Sequence, residues 1–162
     1  MTAALELRTA RDVLEKARRE RERYANALGD RDRVAAADHL FNLAVTILAV
    51  RDWIGKTAPQ HKLDARKYVR REPAIARLVD AANIGKHRVL DDPPKSDPEI
   101  VEQRFTADAP PLYAPDPLSV FGVVPRILRS KATLADGTRF FHLDDADAAI
   151  AAWERFMESR GL

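Results

Sequence analysis

The chain of 162 residues contains no cysteine and four histidines, so side-chain chemistry falls to imidazole, carboxylate, amide and lysine groups. Disulfides, thiolate zinc sites and thiol nucleophiles are excluded. Ser96, Ser119 and Ser130 stand without a His and an Asp in triad order, which argues against a serine hydrolase. No glycine-rich phosphate loop, His-Glu-x-x-His pair, Gly-x-Ser-x-Gly elbow or calcium loop is present. What remains are two polar strips in apolar, helix-periodic surroundings. Asp38, Asn42 and Thr46 recur at four-residue intervals, with His39 one turn below Asn42; Asp80, Asn83 and His87 recur at three and four. If the two strips face each other, His87 and His39 can act as general acid and base on a phosphodiester. The Asn83 amide lies within reach, and Lys86 stabilises developing negative charge. His87, Asn83, Lys86 and His39 are therefore the candidate catalytic set. The same groups can instead satisfy one another as a buried hydrogen-bond network that holds two helices in register. Two imidazoles and Asp38 could also converge on zinc or iron, but no His-x-x-His or Glu-x-x-His pair supports this, so neither a metal nor a cofactor is expected.

Around Asn83-Ile84-Gly85-Lys86-His87 the chain resembles the HEPN superfamily, small helical bundles that include RNA-cleaving toxins and defence proteins. Asn83 matches the motif's polar position, Gly85 and Lys86 its spacer and His87 its histidine, while Ala82 stands where that motif has arginine. Arg33 precedes His39 at a similar spacing. The resemblance covers residues 5–90 at most. It implies a metal-independent ribonuclease using His87 with Asn83 and Lys86. The wider layout also resembles bacterial and phage-borne proteins built as helical bundle, hairpin and helix.

The elements that must carry these residues follow from periodicity. Leu7, Ala10, Leu14, Ala17, Tyr24 and Leu28 form a helical stripe broken by Arg21, and Glu15 to Arg19 is a favourable i,i+4 pair. Gly29 is the expected stop, and Asp30 or Asp32 the next cap. Residues 34–56 are apolar on nearly all sides, which predicts the central and most buried helix. A short helix at 63–71 leads to Pro73, which suits a first helical turn, and a further helix runs to Leu90. Gly85 inside that helix costs roughly 1 kcal/mol against Ala, consistent with close approach of a backbone or ligand.

From Asp91 the prolines prevent further helix. Extended runs are predicted at Ile100–Thr106, Ser119–Val124, Ile127–Leu134 and Thr138–Leu143, the last two flanking Asp136-Gly137 as a type I′ hairpin turn. A final helix, capped by Asp144 or Asp145, carries Ile150, Trp153, Phe156 and Met157 on one face. The expected fold is α+β: one domain over 1–162, with a helical bundle at 5–90, a Pro-rich connection at 91–118, and a hairpin plus terminal helix at 119–162. His61 and His142 are expected at the surface, Trp53 and Trp153 as core or interface anchors.

Twenty-seven basic and 25 acidic side chains leave a net charge of +2, a mixture of signs without an electrostatic footprint for RNA. The longest apolar run, Leu43–Val50, is short of a membrane span, and no basic region precedes it as in a signal peptide, so a cytoplasmic location is expected. Two function classes stay open. One is a non-enzymatic interaction or accessory module of a bacterial or phage-derived defence or toxin–antitoxin system, working with a protein partner or as a homodimer through the first helix. The other is the ribonuclease, with RNA as its substrate.

Overall fold

The structure, a computed structural model, describes residues 7–87, 100–108 and 127–162, with side chains described for all of these except 82, 84–87, 100–108, 127–129 and 140. Thr9 opens the first helix as a capping box. Its hydroxyl accepts from the Asp12 N–H at 3.2 Å, and the Asp12 carboxylate accepts from the N–H groups of Thr9 and Arg8 at 2.7 and 2.8 Å. Helix α1 (Ala10–Gly29) therefore begins after, not at, the expected residue 5. Its inward row is Ala10, Val13, Leu14, Ala17, Tyr24, Ala27 and Leu28, which is core and not the dimer seam expected of this helix. The helix ends at Gly29, as expected, but Gly29 is not the left-handed residue of the turn that follows. The chain leaves through Arg31 at φ 61°, whose N–H reaches the Leu28 carbonyl, while the Asp32 N–H reaches that of Ala27 at 3.0 Å. These two bonds make a Schellman turn with a non-glycine residue in the left-handed position.

Asp32 then caps α2 (Arg33–Thr57), its carboxylate accepting from the N–H groups of Val34 and Ala35 at 3.1 and 3.0 Å. Leu43, Ile47, Val50 and Ile54 are fully buried, but Val34 is 73% exposed, Val45 47% and Phe41 37%. The expectation of an all-round buried helix is thus corrected. α1, α3 and α4 cover one side of α2, and no described residue covers Val34, Phe41 and Val45 on the other. A 3-10 turn at Pro59–His61, where His61 is half-buried, leads into α3 (Lys62–Arg71), which turns Ala65 and Val69 inward. Glu72 is extended, as a residue before proline prefers, and Pro73 opens α4 (Pro73–His87) where its missing N–H does no harm. The expected continuation to Leu90, the Pro-rich connection and the Ser119–Val124 run lie outside the described residues.

The backbone pairs β1 (Ile100–Asp108), β2 (Ile127–Leu134) and β3 (Arg139–Phe141) antiparallel in that order, with Phe105 opposite Ser130 and Lys131 opposite Phe141. The β2–β3 turn differs from the expected type I′, which needs two residues at positive φ. Gly137 alone has it, at 86°, and the Gly137 N–H bonds the Leu134 carbonyl while the Leu134 N–H bonds that of Thr138. This is a three-residue loop with glycine at its left-handed position.

Helix α5 (His142–Glu158) starts directly from β3. Phe141 is its N-cap residue and supplies no side-chain cap, and neither Asp144 nor Asp145 takes that role. Ile150, Trp153, Phe156 and Met157 are buried in one cluster with Leu14, Leu43, Ile47 and Ile75. Trp153 meets Phe156 edge-on at 5.5 Å, and the Tyr68 hydroxyl donates to the Ala152 carbonyl at 3.0 Å. The chain is thus predominantly helical, with α5 packed into the core built by α1, α2 and α4.

Candidate functional site

The inward row of α1 includes one charge, and it is Glu20, not Arg21. Arg21 turns aside and makes a bidentate pair with Asp147 of α5, both bonds 2.7 Å. Glu20 is 5% exposed. Its Oε1 accepts from Arg23 Nη1 at 2.7 Å and from Lys16 Nζ at 3.4 Å. Its Oε2 lies 3.6 Å from His39 Nδ1, beyond hydrogen-bond length, and neither of those two atoms has another partner. Lys16 Nζ also donates to the Thr46 hydroxyl at 2.9 Å, and Thr46 donates onward to the Asn42 carbonyl at 2.7 Å.

Of the first polar strip, then, His39 and Thr46 meet α1, while Asp38 and Asn42 are exposed. Asn83 is half-buried on α4, and Lys86 and His87 occupy the last residues of that helix with side chains outside those described. Of the candidate catalytic set, His39 therefore has a described neighbour, the α1 carboxylate. A buried carboxylate held by Lys16 and Arg23, with His39 of α2 beside it, is an ion-pair cluster where α1 meets α2. Among the described residues no three His, Asp or Glu side chains gather as metal ligands.

A second polar group is one the sequence reading placed at the surface. His142 is fully buried, because α5 begins at that residue and its inward row runs His142, Asp145, Ala146, Ala149, Trp153. Its Nδ1 lies 2.9 Å from the hydroxyl of Ser130, itself 4% exposed on β2. Burial pushes the imidazole down to about 4, a hydrogen bond with the Ser130 backbone pulling the other way, so it is neutral at physiological pH. Tyr24 of α1 points to the same place. Burial raises its hydroxyl to about 12, and approach to Ser130, without a completed hydrogen bond, offsets this in part. Tyr24, Ser130 and His142 thus join α1, β2 and α5. The trio has a Ser–His pair but no route for substrate, since each member is nearly or wholly shielded from solvent.

The third feature is an ion pair between α4 and α5. Arg77 Nε and Nη2 donate to the two Asp145 oxygens at 2.7 and 2.6 Å. Burial pushes the Asp145 carboxyl above its ordinary value, with Arg77 opposing it, and the Asp145 bonds push the guanidinium up. Both are charged at neutral pH. Other α1 charges are likewise spent internally: Arg18 binds Glu15 and Glu154, in place of the expected Glu15–Arg19 pair.

One feature open to a partner is apolar. Val34, Phe41 and Val45, separated by seven and four residues, lie on one row of α2 facing solvent, with Ala37 exposed between them. Sequence inspection hides this row because apolar residues surround it on every side, so no periodicity separates an outer stripe from the inner one. The same composition makes α2 the one described helix long and apolar enough to cross a membrane. Its inner row is instead buried against α1 and α4. No known protein family, curated protein or solved structure matches this chain.

Proposed function

We propose that the chain is a non-enzymatic interaction module whose docking surface is the outer row of α2, and that a second copy of the chain occupies it. The observation that carries this reading is the solvent-facing stripe Val34, Phe41, Val45. An isolated exposed valine needs no explanation, but three large apolar residues aligned on a well-ended helix mark an interface. A second copy fits because an antiparallel two-fold crossing centred near Asn42 sets Phe41 and Val45 of one copy against those of the other. It also brings the exposed Arg33 end of one helix to the exposed Asp52 end of the other. Small Ala37 within the stripe lets the two backbones approach. The polar groups of the candidate site support the same reading, since Lys16 and Arg23 are both taken up by Glu20, and Lys16 also by Thr46. In this reading the paired strands complete an α+β fold away from the docking row.

Sedimentation velocity tests it. The wild-type chain is expected to sediment as a dimer, and Phe41→Glu with Val45→Glu as a monomer that melts no lower than the dissociated wild type. A wild-type monomer across the accessible concentration range would remove the self-association. Cleavage of RNA by purified protein, lost in His87→Ala, would replace the whole reading with the ribonuclease.

A further inference from the structure

Charge is spread very unevenly over this molecule. Helix α3 carries Lys62, Arg66, Lys67, Arg70 and Arg71 against the single Asp64, a net of +4 in a chain whose total is +2. Asp64 is itself engaged, 3.6 Å from Arg160. Ala65 and Val69 turn inward, so the five cations all lie on the solvent side. Across from them on α2 stands Arg51, its Nε held 2.8 Å from Asp52. Arg51, Arg66, Lys67, Val69 and Arg70 line a groove of about 400 Å³, with no carboxylate among its described lining residues.

Folding does not account for this arrangement. Lys62 and Arg66, Arg66 and Arg70, and Lys67 and Arg71 are like charges four residues apart, each pair destabilising an isolated helix by roughly 0.2–0.5 kcal/mol. The helix dipole favours cations only in the last turn, which covers Arg70 and Arg71 and not Lys62, Arg66 or Lys67. Arg66, Lys67 and Arg70 form no ion pair among the described residues. α1 is the contrast: it is as highly charged, but Lys16, Arg18, Arg21 and Arg23 all have acidic partners. Among the described residues, only α3 keeps repelling cations together and unpaired around an open groove.

We infer that the α3 face, with Arg51, is a binding site for the phosphate backbone of a nucleic acid, read without sequence preference. A single small anion would need convergent, sheltered donors, and this groove is open, its cations set along a helix of ten residues, roughly 15 Å. A row of that length suits a ligand that repeats its charge. Guanidinium groups on the row can each take a phosphate in bidentate fashion. The site is separate from the outer row of α2, so it stands whether or not the chain dimerises.

Fluorescence anisotropy with a short labelled oligonucleotide tests this. The wild-type chain is expected to bind at low salt, with an affinity that falls on a log–log slope of about −3 to −4 as salt is added, the value for about four neutralised phosphates. Arg66→Gln with Arg70→Gln should weaken binding about tenfold or more and make the slope shallower by nearly 2. Arg19→Gln with Arg139→Gln, which changes the net charge equally at exposed cations elsewhere, should leave both unchanged. Thermal melting of the Arg66/Arg70 variant should be no lower than wild type, so lost binding cannot be put down to unfolding. Equal losses in the two double variants, or no wild-type binding at low salt, would overturn the assignment. So would displacement of the oligonucleotide by an acidic peptide or by pyrophosphate at equal charge concentration, which would point to an acidic protein or to a small anion.

Discussion

His142 shows how one residue links local backbone to pH. Its imidazole is neutral in the fold because burial holds it near 4, against an ordinary value of 6.5. Above pH 6.5 both folded and unfolded chains leave it neutral, and its environment is fully compatible with folding. As the pH falls from 6.5 toward 4 the unfolded chain binds a proton that the folded one refuses, so stability drops progressively, by at most about 3 kcal/mol at the lower end. Urea denaturation across that window is expected to show this loss, and His142→Gln to flatten it; a wild-type profile that is flat between pH 6.5 and 4 would contradict the burial. Tyr24 offers a second test at this scale. Its hydroxyl is buried without a completed hydrogen bond, so Tyr24→Phe removes a desolvated polar atom and should leave stability unchanged or raise it by about 1 kcal/mol, read from the denaturation midpoint. Tyr24 falls on the apolar stripe that the sequence shows, but His142 does not announce its position. His142 follows a strand with no capping residue to mark the start of a helix, so a helix begun at Asp144 leaves it outside. Glu20 and Arg21 are neighbours in a charged run, and only the packing of α1 decides which of them turns inward.

Helix ends are where the elements depart most from their sequence signals. Pro73 is legible because a missing N–H is tolerated in few places, and the boundary between α3 and α4 falls there. Asp32 is legible for the same kind of reason, as an acceptor for free N–H groups. The end of α1 is legible only in part: the helix stops at Gly29, but the left-handed residue that closes the turn is Arg31, two positions on. Two substitutions follow with one direction. Gly29 is helical and an added Cβ meets nothing within 4 Å, so Gly29→Ala should stabilise by roughly 0.5–1 kcal/mol through helix propensity. Arg31 holds φ 61°, a conformation that costs a non-glycine residue roughly 1 kcal/mol, so Arg31→Gly should also stabilise, by less than that because the unfolded chain gains freedom. Both rises would appear as higher melting temperatures. A fall for Gly29→Ala would mean that the last turn of α1 is not helical.

At the scale of the molecule, the question is whether the four N-terminal helices form a unit without α5. The sequence reads as one domain with its terminal helix packed on the bundle part at 5–90, but periodicity reports each helix's apolar face and not which partner fills it. The packing ties α5 to the others. Ile150, Trp153, Phe156 and Met157 are buried in the same cluster as Leu14, Leu43, Ile47 and Ile75. Four such side chains contribute on the order of 8 kcal/mol of burial, as much as the whole net stability of an ordinary domain. Removing α5 would also leave Arg77 without its bidentate partner Asp145, and Arg21 without Asp147. The long connection between α4 and α5 changes little, since loop-closure entropy rises only slowly with length. A chain ending at Phe141 is therefore expected to lose its cooperative thermal transition, and a peptide spanning His142–Leu162 to restore it in trans with a rise in helical circular dichroism. A sharp, reversible melt of the truncated chain alone would show that α1 to α4 close their own core, and would return α5 to the status of an appendage.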